Sequence, residues 1–174
     1  MKRPRRGPDL TSAPDAHDSR HLEIDGRRWR RSDPTIPEPL RQELVNELMS
    51  ARRAVAAAVD ARDLAAARRR VHHAKHALGE RGRAWWLEPR EADRDVRIDA
   101  AILALLRSRS EGASICPSEP ARIVGGGSWR TLMRKVRQRA ADLSRRGHIS
   151  IVRRGHILAD HPTTGILRYR LNRT

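Results

Sequence analysis

Residues 128–155 read SWRTLMRKVRQRAADLSRRGHISIVRRG, and this stretch decides the fold of the C-terminal half of the chain. Apolar residues recur in it at spacings of three and four, which is the period of an amphipathic helix. They are Trp129, Leu132, Met133, Val136, Ala140 and Leu143. Ser128 is a suitable N-cap for this helix, and Gly147 is a suitable stop. The run ISIVR that follows has strand character, and Arg154-Gly155 can turn the chain.

Two more helices are predicted before the long one. Ile98 to Arg109 has an apolar face at helical spacing, and Glu111-Gly112 ends it. Ser118 is the expected N-cap of a short second helix with Pro120 in its first turn, and Gly125-Gly126-Gly127 is a turn. Ile166 to Leu171 forms a last strand. This order of elements is that of a winged helix-turn-helix: helix, short helix, turn, long helix and strands. We predict this fold for residues 98–174.

The N-terminal half begins with a polar segment and a hairpin. Residues 1–20 are polar, basic and aperiodic, so we predict a disordered arm. HLEIDGRRWR (21–30) contains Asp25-Gly26, which favours a two-residue turn between short antiparallel strands. In that register Leu22 faces Trp29 and Glu23 faces Arg28.

A helical hairpin is predicted to follow. Pro34, Pro37 and Pro39 hold the approach extended, and a helix then starts near Glu38. Its apolar stripe is Leu40, Leu44, Leu48, Ala51, Val55 and Val59. The pattern breaks at Asp60 to Asp63, and a second stripe then runs Leu64, Ala67, Val71, Ala74 and Leu78, ended by Gly79.

The expected fold is therefore mainly α with small β. Residues 21–86 form a β-hairpin with an antiparallel helical hairpin, residues 87–97 form a linker, and the winged helix-turn-helix follows. A single cysteine, Cys116, excludes an internal disulfide and disfavours a zinc site. No apolar run is long enough to cross a bilayer, and the N-terminus lacks the apolar region of a secretory signal. We expect a cytoplasmic protein, associated with the nucleoid if it binds DNA.

Charge indicates the class of partner. The chain carries a net charge of +16. Residues 98–174 hold 15 Arg and Lys against 5 Asp and Glu, a net charge of +10, so the basic excess is concentrated in the C-terminal half. A basic surface of this kind attracts polyanions, and the partner we expect is nucleic acid, DNA rather than RNA.

The long helix holds the strongest candidate site. Its basic residues form two flanks, with Arg130 and Arg134 near the start on one of them, where a groove-bound helix contacts base edges. Arg145, Arg146 and Arg154 lie farther along, where phosphates are expected. The predicted nucleic-acid-binding residues are Ser128, Arg130, Thr131, Arg134, Lys135, Arg137, Arg145, Arg146, Arg153, Arg154, Arg168 and Arg170. The alternative is an ordinary solvated, arginine-rich helix face, with Arg168 and Arg170 on the wet face of a strand.

Other motifs carry weaker signals. Gly125-Gly126-Gly127-Ser128 precedes a helix, where anions bind, but it lacks the P-loop spacing, and a flexible turn is the favoured interpretation. His72 and His76 have metal-binding spacing with no nearby carboxylate or cysteine, so exposed histidines are favoured. Cys116 near a helix start is better explained as a buried, unreactive thiol. No catalytic motif is present, and we expect neither an enzyme nor a cofactor.

Two stretches resemble known families. The residues ILALL (102–106), ICPSEPARIVG (115–125), SWRTLMRKVR (128–137) and GILRYRL (165–171) resemble a bacterial family of unknown function, domain of unknown function 3253. That resemblance implies a helix-turn-helix fold and no established activity. Residues 21–86 resemble a second uncharacterised bacterial family, some members of which carry the label biopolymer transporter. Nothing in this sequence spans or anchors to a membrane, so we give that label little weight.

Two functions follow from these patterns. The first is binding of double-stranded DNA by the winged helix, as a regulator or accessory factor. The alternative is a protein–protein interaction module without nucleic acid, in which residues 38–80 form a homodimer or hold a protein partner.

Overall fold

The computed structural model describes residues 19–172. The arm predicted at residues 1–20 lies outside this range except for its last two residues. The chain divides into two compact units, one ending at Arg31 and the other beginning at Ser32.

The first unit contains the predicted β-hairpin. Strand β1 (His21–Ile24) pairs antiparallel with β2 (Arg27–Arg30), with Leu22 opposite Trp29 and Glu23 opposite Arg28. Asp25 and Gly26 both have positive φ angles, 52° and 69°, as the two-residue turn requires. The predicted turn and register are confirmed.

The second unit starts with two helices, α1 (Glu38–Ala56) and α2 (Ala61–Ala77). The Asp60 side chain caps α2 by accepting a hydrogen bond from the backbone N–H of Asp63 at 2.7 Å. Gly79, with a φ of +77°, follows the end of α2 as predicted. Leu44 and Leu48 are buried, whereas Val59 is 92% exposed because α1 ends before it.

Helix α3 (Glu91–Ser108) begins seven residues earlier than predicted and occupies most of the expected linker. It is buried on nearly every side between Ile98 and Leu106. A helix that is apolar all round belongs at the centre of a fold. Both α1 and α2 pack against α3 on one side, and α4 (Ser118–Gly125) and α5 (Trp129–Arg145) also contact it.

A small antiparallel sheet completes the second unit. Its strands are β3 (Ser114–Ile115), β4 (Ile149–Arg153), β5 (His156–Ile157) and β6 (Arg168–Leu171), in the spatial order β3-β6-β4-β5. The short strand β3 was not predicted, and β6 starts at Arg168 rather than at Ile166. A single 3-10 turn, Gly126–Ser128, joins α4 to α5.

The structure differs from the expected division into residues 21–86 and 98–174. One continuous cluster of buried side chains extends from Ile36 and Leu44 through α3 to Tyr169 on β6. The physical reason is that the stripe of the helical hairpin needs a covering surface, and α3 supplies it. Residues 32–172 therefore share one core, and the boundary between the compact units falls after Arg31.

Within residues 19–172, no helix combines the length and the apolar composition that crossing a bilayer requires.

Candidate nucleic-acid interface

The first half of α5 presents a polar and basic face to solvent. Arg130, Thr131, Arg134 and Gln138 are exposed along it, while Val136 and Ala140 on the opposite face are buried. The helical period separates the two faces, because every third or fourth residue lies on the same side of the helix. Gln138 was missed by the sequence prediction, which considered only the basic flanks; its position between them on the helical wheel is the signal that identifies it.

Trp129 organises the beginning of this face. Two guanidiniums lie over its ring, that of Arg130 at 4.5 Å and that of Arg122 at 4.9 Å from the ring centroid. Such cation–π contacts restrain arginine side chains that otherwise sample many rotamers. Arg122 comes from α4 and was not among the predicted residues, because only the fold brings it beside Trp129.

The turn before α5 differs from the predicted cap. Ser128 is exposed and makes no side-chain capping hydrogen bond. Instead its carbonyl oxygen accepts a hydrogen bond from the Thr131 hydroxyl at 2.8 Å. Ser118 likewise caps nothing: it is the first residue of α4, after Pro117, and its hydroxyl lies 3.1 Å from the Cys116 sulfur.

Three of the predicted arginines have charges that no other described side chain neutralises. Within residues 19–172, Arg134, Arg146 and Arg154 have no ion pair or side-chain hydrogen bond, and all three are exposed. Arg154 sits in the turn between β4 and β5 with a φ of +49°, followed by Gly155. These are the side chains freest to contact an external anion.

The other flank of α5 is neutralised by α3. The Lys135 ammonium lies 2.7 Å from Glu91 and 3.0 Å from Asp95, and the hydrogen bond to Glu91 is the main cause of a raised pKa at Lys135. Arg139 pairs in the same way with Asp99, and with Asp142 on its own helix. Lys135 was predicted to contact nucleic acid, and in the structure its ion pairs link α5 to α3.

The second half of α5 is partly engaged by the loop between β5 and β6. The Arg137 guanidinium donates to the Thr163 carbonyl oxygen at 3.3 Å, and His161 Nδ1 lies 2.8 Å from the Ser144 hydroxyl. Arg145 is exposed but pairs with Asp142. The open part of the helix is thus its first half, which contains Arg130 and Arg134.

The remaining predicted arginines lie on strands β4 and β6. Arg153 donates to the Thr164 carbonyl oxygen at 3.2 Å. Arg168 holds β3 through the Ser114 hydroxyl at 2.7 Å and the Ser114 carbonyl at 2.9 Å. Arg170 is half-buried, and its Nε has no hydrogen-bond partner within the described residues. The guanidiniums of Arg153 and Arg168 are therefore only partly available for another contact.

The histidines of α2 contact other side chains of the protein. His73 Nδ1 lies 2.8 Å from the Arg107 guanidinium, and burial, aided by that positive charge, lowers the pKa of His73 to about 4. His72 and His76 have rings 4.3 Å apart. Across residues 19–172, no group of three or more His, Cys, Asp or Glu side chains is arranged to hold a metal ion.

Comparison with known families agrees with the sequence resemblance of the C-terminal half. Residues 95–172, a little less than half of the 174-residue chain, match the family described as protein of unknown function (DUF3253). That part of the resemblance is confirmed, and the resemblance of residues 21–86 stays a prediction. No curated protein matches the chain.

Proposed function

We propose that residues 91–172 form a winged helix-turn-helix that binds double-stranded DNA, as a regulator or accessory factor in the cytoplasm. In this proposal α3, α4 and α5 are the three helices, α5 enters the major groove, and the turn between β4 and β5 is the tip of the wing. The element order and the antiparallel pairing of β4 with β5 and β6 are compatible with that architecture.

One observation carries the proposal. Basic residues of α5 differ in their pairing: the carboxylates of α3 neutralise Lys135 and Arg139, whereas Arg130 and Arg134 remain exposed and unneutralised. This asymmetry suits a groove-binding helix, because one flank holds the helix on the domain while the other meets the ligand.

Each exposed residue has a role in the proposal. Arg130 and Arg134 read guanine edges, and Gln138 suits adenine, since arginine and glutamine make bidentate contacts to these bases. Ser128 and Thr131, at the start of α5, reach a phosphate oxygen. Arg146 and Arg154 contact the backbone on either side of the groove, which gives affinity without sequence preference.

The alternative, a protein–protein module built on residues 38–80, has less apolar surface to use. Leu44 and Leu48 are buried against the core of the same chain. A partner on these helices would have to contact their outer, charged face, which is a poor hydrophobic anchor.

The test is equilibrium binding of the full chain to a fluorescent duplex of about 20 base pairs, at about 50 and about 200 mM salt. About four phosphate contacts predict roughly a 100-fold loss of affinity over this range. A double variant, Arg130→Ala with Arg134→Ala, should bind far more weakly than Arg62→Ala with Arg68→Ala, which removes the same charge from α2. Absence of binding to any duplex at the lower salt concentration overturns the proposal. Preference for double-stranded RNA of the same length would replace DNA as the ligand.

A further inference from the structure

A cavity of about 270 Å³ lies between four segments of the second unit. These are the stretch before α1, the loop after α2, the first turns of α3, and the glycine turn between α4 and α5. The volume is at the small end of ligand sites, which run from about 300 to 1,000 Å³. It fits a compact metabolite better than a dinucleotide.

Positive charge dominates the lining. Four arginines face the cavity and only two carboxylates do so; they are Arg81, Arg83, Arg94, Arg97, Asp33 and Asp93. Asp33 is already committed to Arg97, 2.7 Å away. The cavity therefore has an excess of cationic groups over the anionic groups available to neutralise them.

The charges of the three other arginines are only weakly neutralised by carboxylates. Arg94 lies 3.7 Å from Glu88, whose side chain is 90% exposed, so that pair is screened by solvent. Within residues 19–172, Arg81 and Arg83 have no carboxylate at ion-pair distance. Arg83 donates to the backbone oxygen of Glu88 at 2.5 Å, which orients its guanidinium without neutralising it.

Part of the lining is the glycine turn between α4 and α5. Gly125, Gly126 and Gly127 carry no side chains, and Gly126 has a φ of +48°. A Cβ added at Gly126 would lie 3.0 Å from Thr35, so glycine also permits the close packing of this wall. Gly125 lies in the last turn of α4, and the Gly126 N–H donates to the Arg122 carbonyl oxygen, so this wall gives a ligand close approach to the backbone. The charge and most of the hydrogen-bond donors that a phosphate group needs come from the arginines.

From the cavity, its charge and its glycine wall, we infer that this protein holds a small phosphate monoester between Arg83, Arg94 and the Gly125–Gly127 turn. Arg83, Arg94 and the glycines, which carry the inference, are not among the proposed nucleic-acid contacts; of those contacts Ser128 also lines the cavity. A DNA backbone phosphate offers similar chemistry, and the experiment below separates the two sources.

The test records the glycine amide resonances by NMR in the full chain labelled with ¹⁵N-glycine. Inorganic phosphate and, separately, glycerol 3-phosphate are titrated against chloride at constant ionic strength, up to about 20 mM, which covers millimolar dissociation constants. The expected result is a saturable shift of the Gly125, Gly126 and Gly127 amide resonances with either probe. Arg83→Gln and, independently, Arg94→Gln should weaken binding about tenfold, as expected for loss of a charged hydrogen bond.

Arg62→Gln is the matched control, since it removes an exposed arginine from the first turn of α2 and should leave the dissociation constant within about twofold. The inference is overturned by an absence of saturable shifts at these glycines, or by equal weakening in Arg83→Gln and Arg62→Gln. It is equally overturned if a 20-base-pair duplex, but neither small probe, shifts these resonances in an Arg83-dependent way. That result would make the cavity a contact for a nucleic-acid backbone.

Discussion

The carboxylate of Asp33 and the guanidinium of Arg97, 64 residues apart in the chain, form an ion pair at 2.7 Å with only 5% and 15% of their side chains exposed. The same guanidinium reaches the carbonyl oxygens of Ala77 and Ile123, each at 3.4 Å. Arg97 thereby ties the segment before α1, the end of α2 and the end of α4 to α3. This contact adds to the shared apolar core that joins the helical hairpin to the C-terminal half.

Removing one partner of this pair should destabilise the whole second unit. Asp33→Asn keeps the size of the side chain but leaves the Arg97 charge buried and unpaired, at a cost of about 3–5 kcal/mol in the free energy of unfolding. The measurement is urea denaturation followed by circular dichroism. Glu38→Gln breaks an exposed pair with Arg41 and should cost less than about 1 kcal/mol. A loss below about 1 kcal/mol in Asp33→Asn would show that the pair contributes little.

The hydrophobic stripe of α1 should behave as core. Leu48 is 3% exposed, and Leu48→Ala should cost about 2–4 kcal/mol in the free energy of unfolding. Val59→Ala, at a position that is 92% exposed, serves as the control and should change it by less than about 0.5 kcal/mol. Similar small effects for both variants would mean that the α1 stripe is accessible in solution and free to bind a partner.

Local signals predicted much of this fold. The turn at Asp25-Gly26 and the register of Leu22 with Trp29 depend on a few adjacent residues, and both were predicted correctly. The bounds of α1 and α2 also follow from nearby prolines, the Asp60 cap and Gly79.

The features that the sequence did not predict depend on contacts between residues that are distant in the chain. The first two turns of α3 are charged and lack an apolar stripe, so their helical state is invisible to periodicity. They are held by Arg97 on Asp33, and by Asp95 and Asp99 on the side chains of α5. The same contacts decide which arginines of the candidate interface are free. Sequence composition predicts a basic helix, but it cannot tell Lys135, which is paired, from Arg134, which is not.

The environment of His73 predicts a pH dependence of stability. The pKa of His73 is lowered to about 4 in the folded protein, first by burial and then by Arg107, against about 6.5 in the unfolded chain. As pH falls from about 6.5 to 4, the unfolded chain takes up a proton that the folded protein does not, so this histidine's contribution weakens the fold by about 3 kcal/mol. His73→Gln should flatten the dependence of unfolding free energy on pH in this window, whereas the exposed His156→Gln should leave it unchanged. Parallel pH curves for wild type and His73→Gln would contradict the assignment.

Arg134 and Lys135 are adjacent on α5 and test whether ion pairing decides availability. Arg134→Ala should weaken binding to a preferred duplex by about 1–3 kcal/mol and to random DNA much less, if it reads a base. Lys135→Ala should change the dissociation constant by less than about twofold, because its ammonium is held by Glu91 and Asp95. Competition binding with selected and random duplexes measures both effects. Equal losses for the two variants would mean that position on the helix, rather than pairing, determines the contact.

Arg154 is expected to act differently from Arg134, because it lies in the turn between β4 and β5 and not on α5. In a winged helix this turn approaches the sugar-phosphate backbone, whose charge is the same for every sequence. Arg154→Ala should therefore weaken specific and random duplexes by the same factor and reduce the slope of log affinity against log salt by about one unit. Arg153→Ala is the neighbouring control: its guanidinium already donates to Thr164 at 3.2 Å, so a smaller change in slope is expected. An unchanged slope in Arg154→Ala, with Arg134→Ala still impaired, would place the turn away from the nucleic acid and restrict the interface to α5.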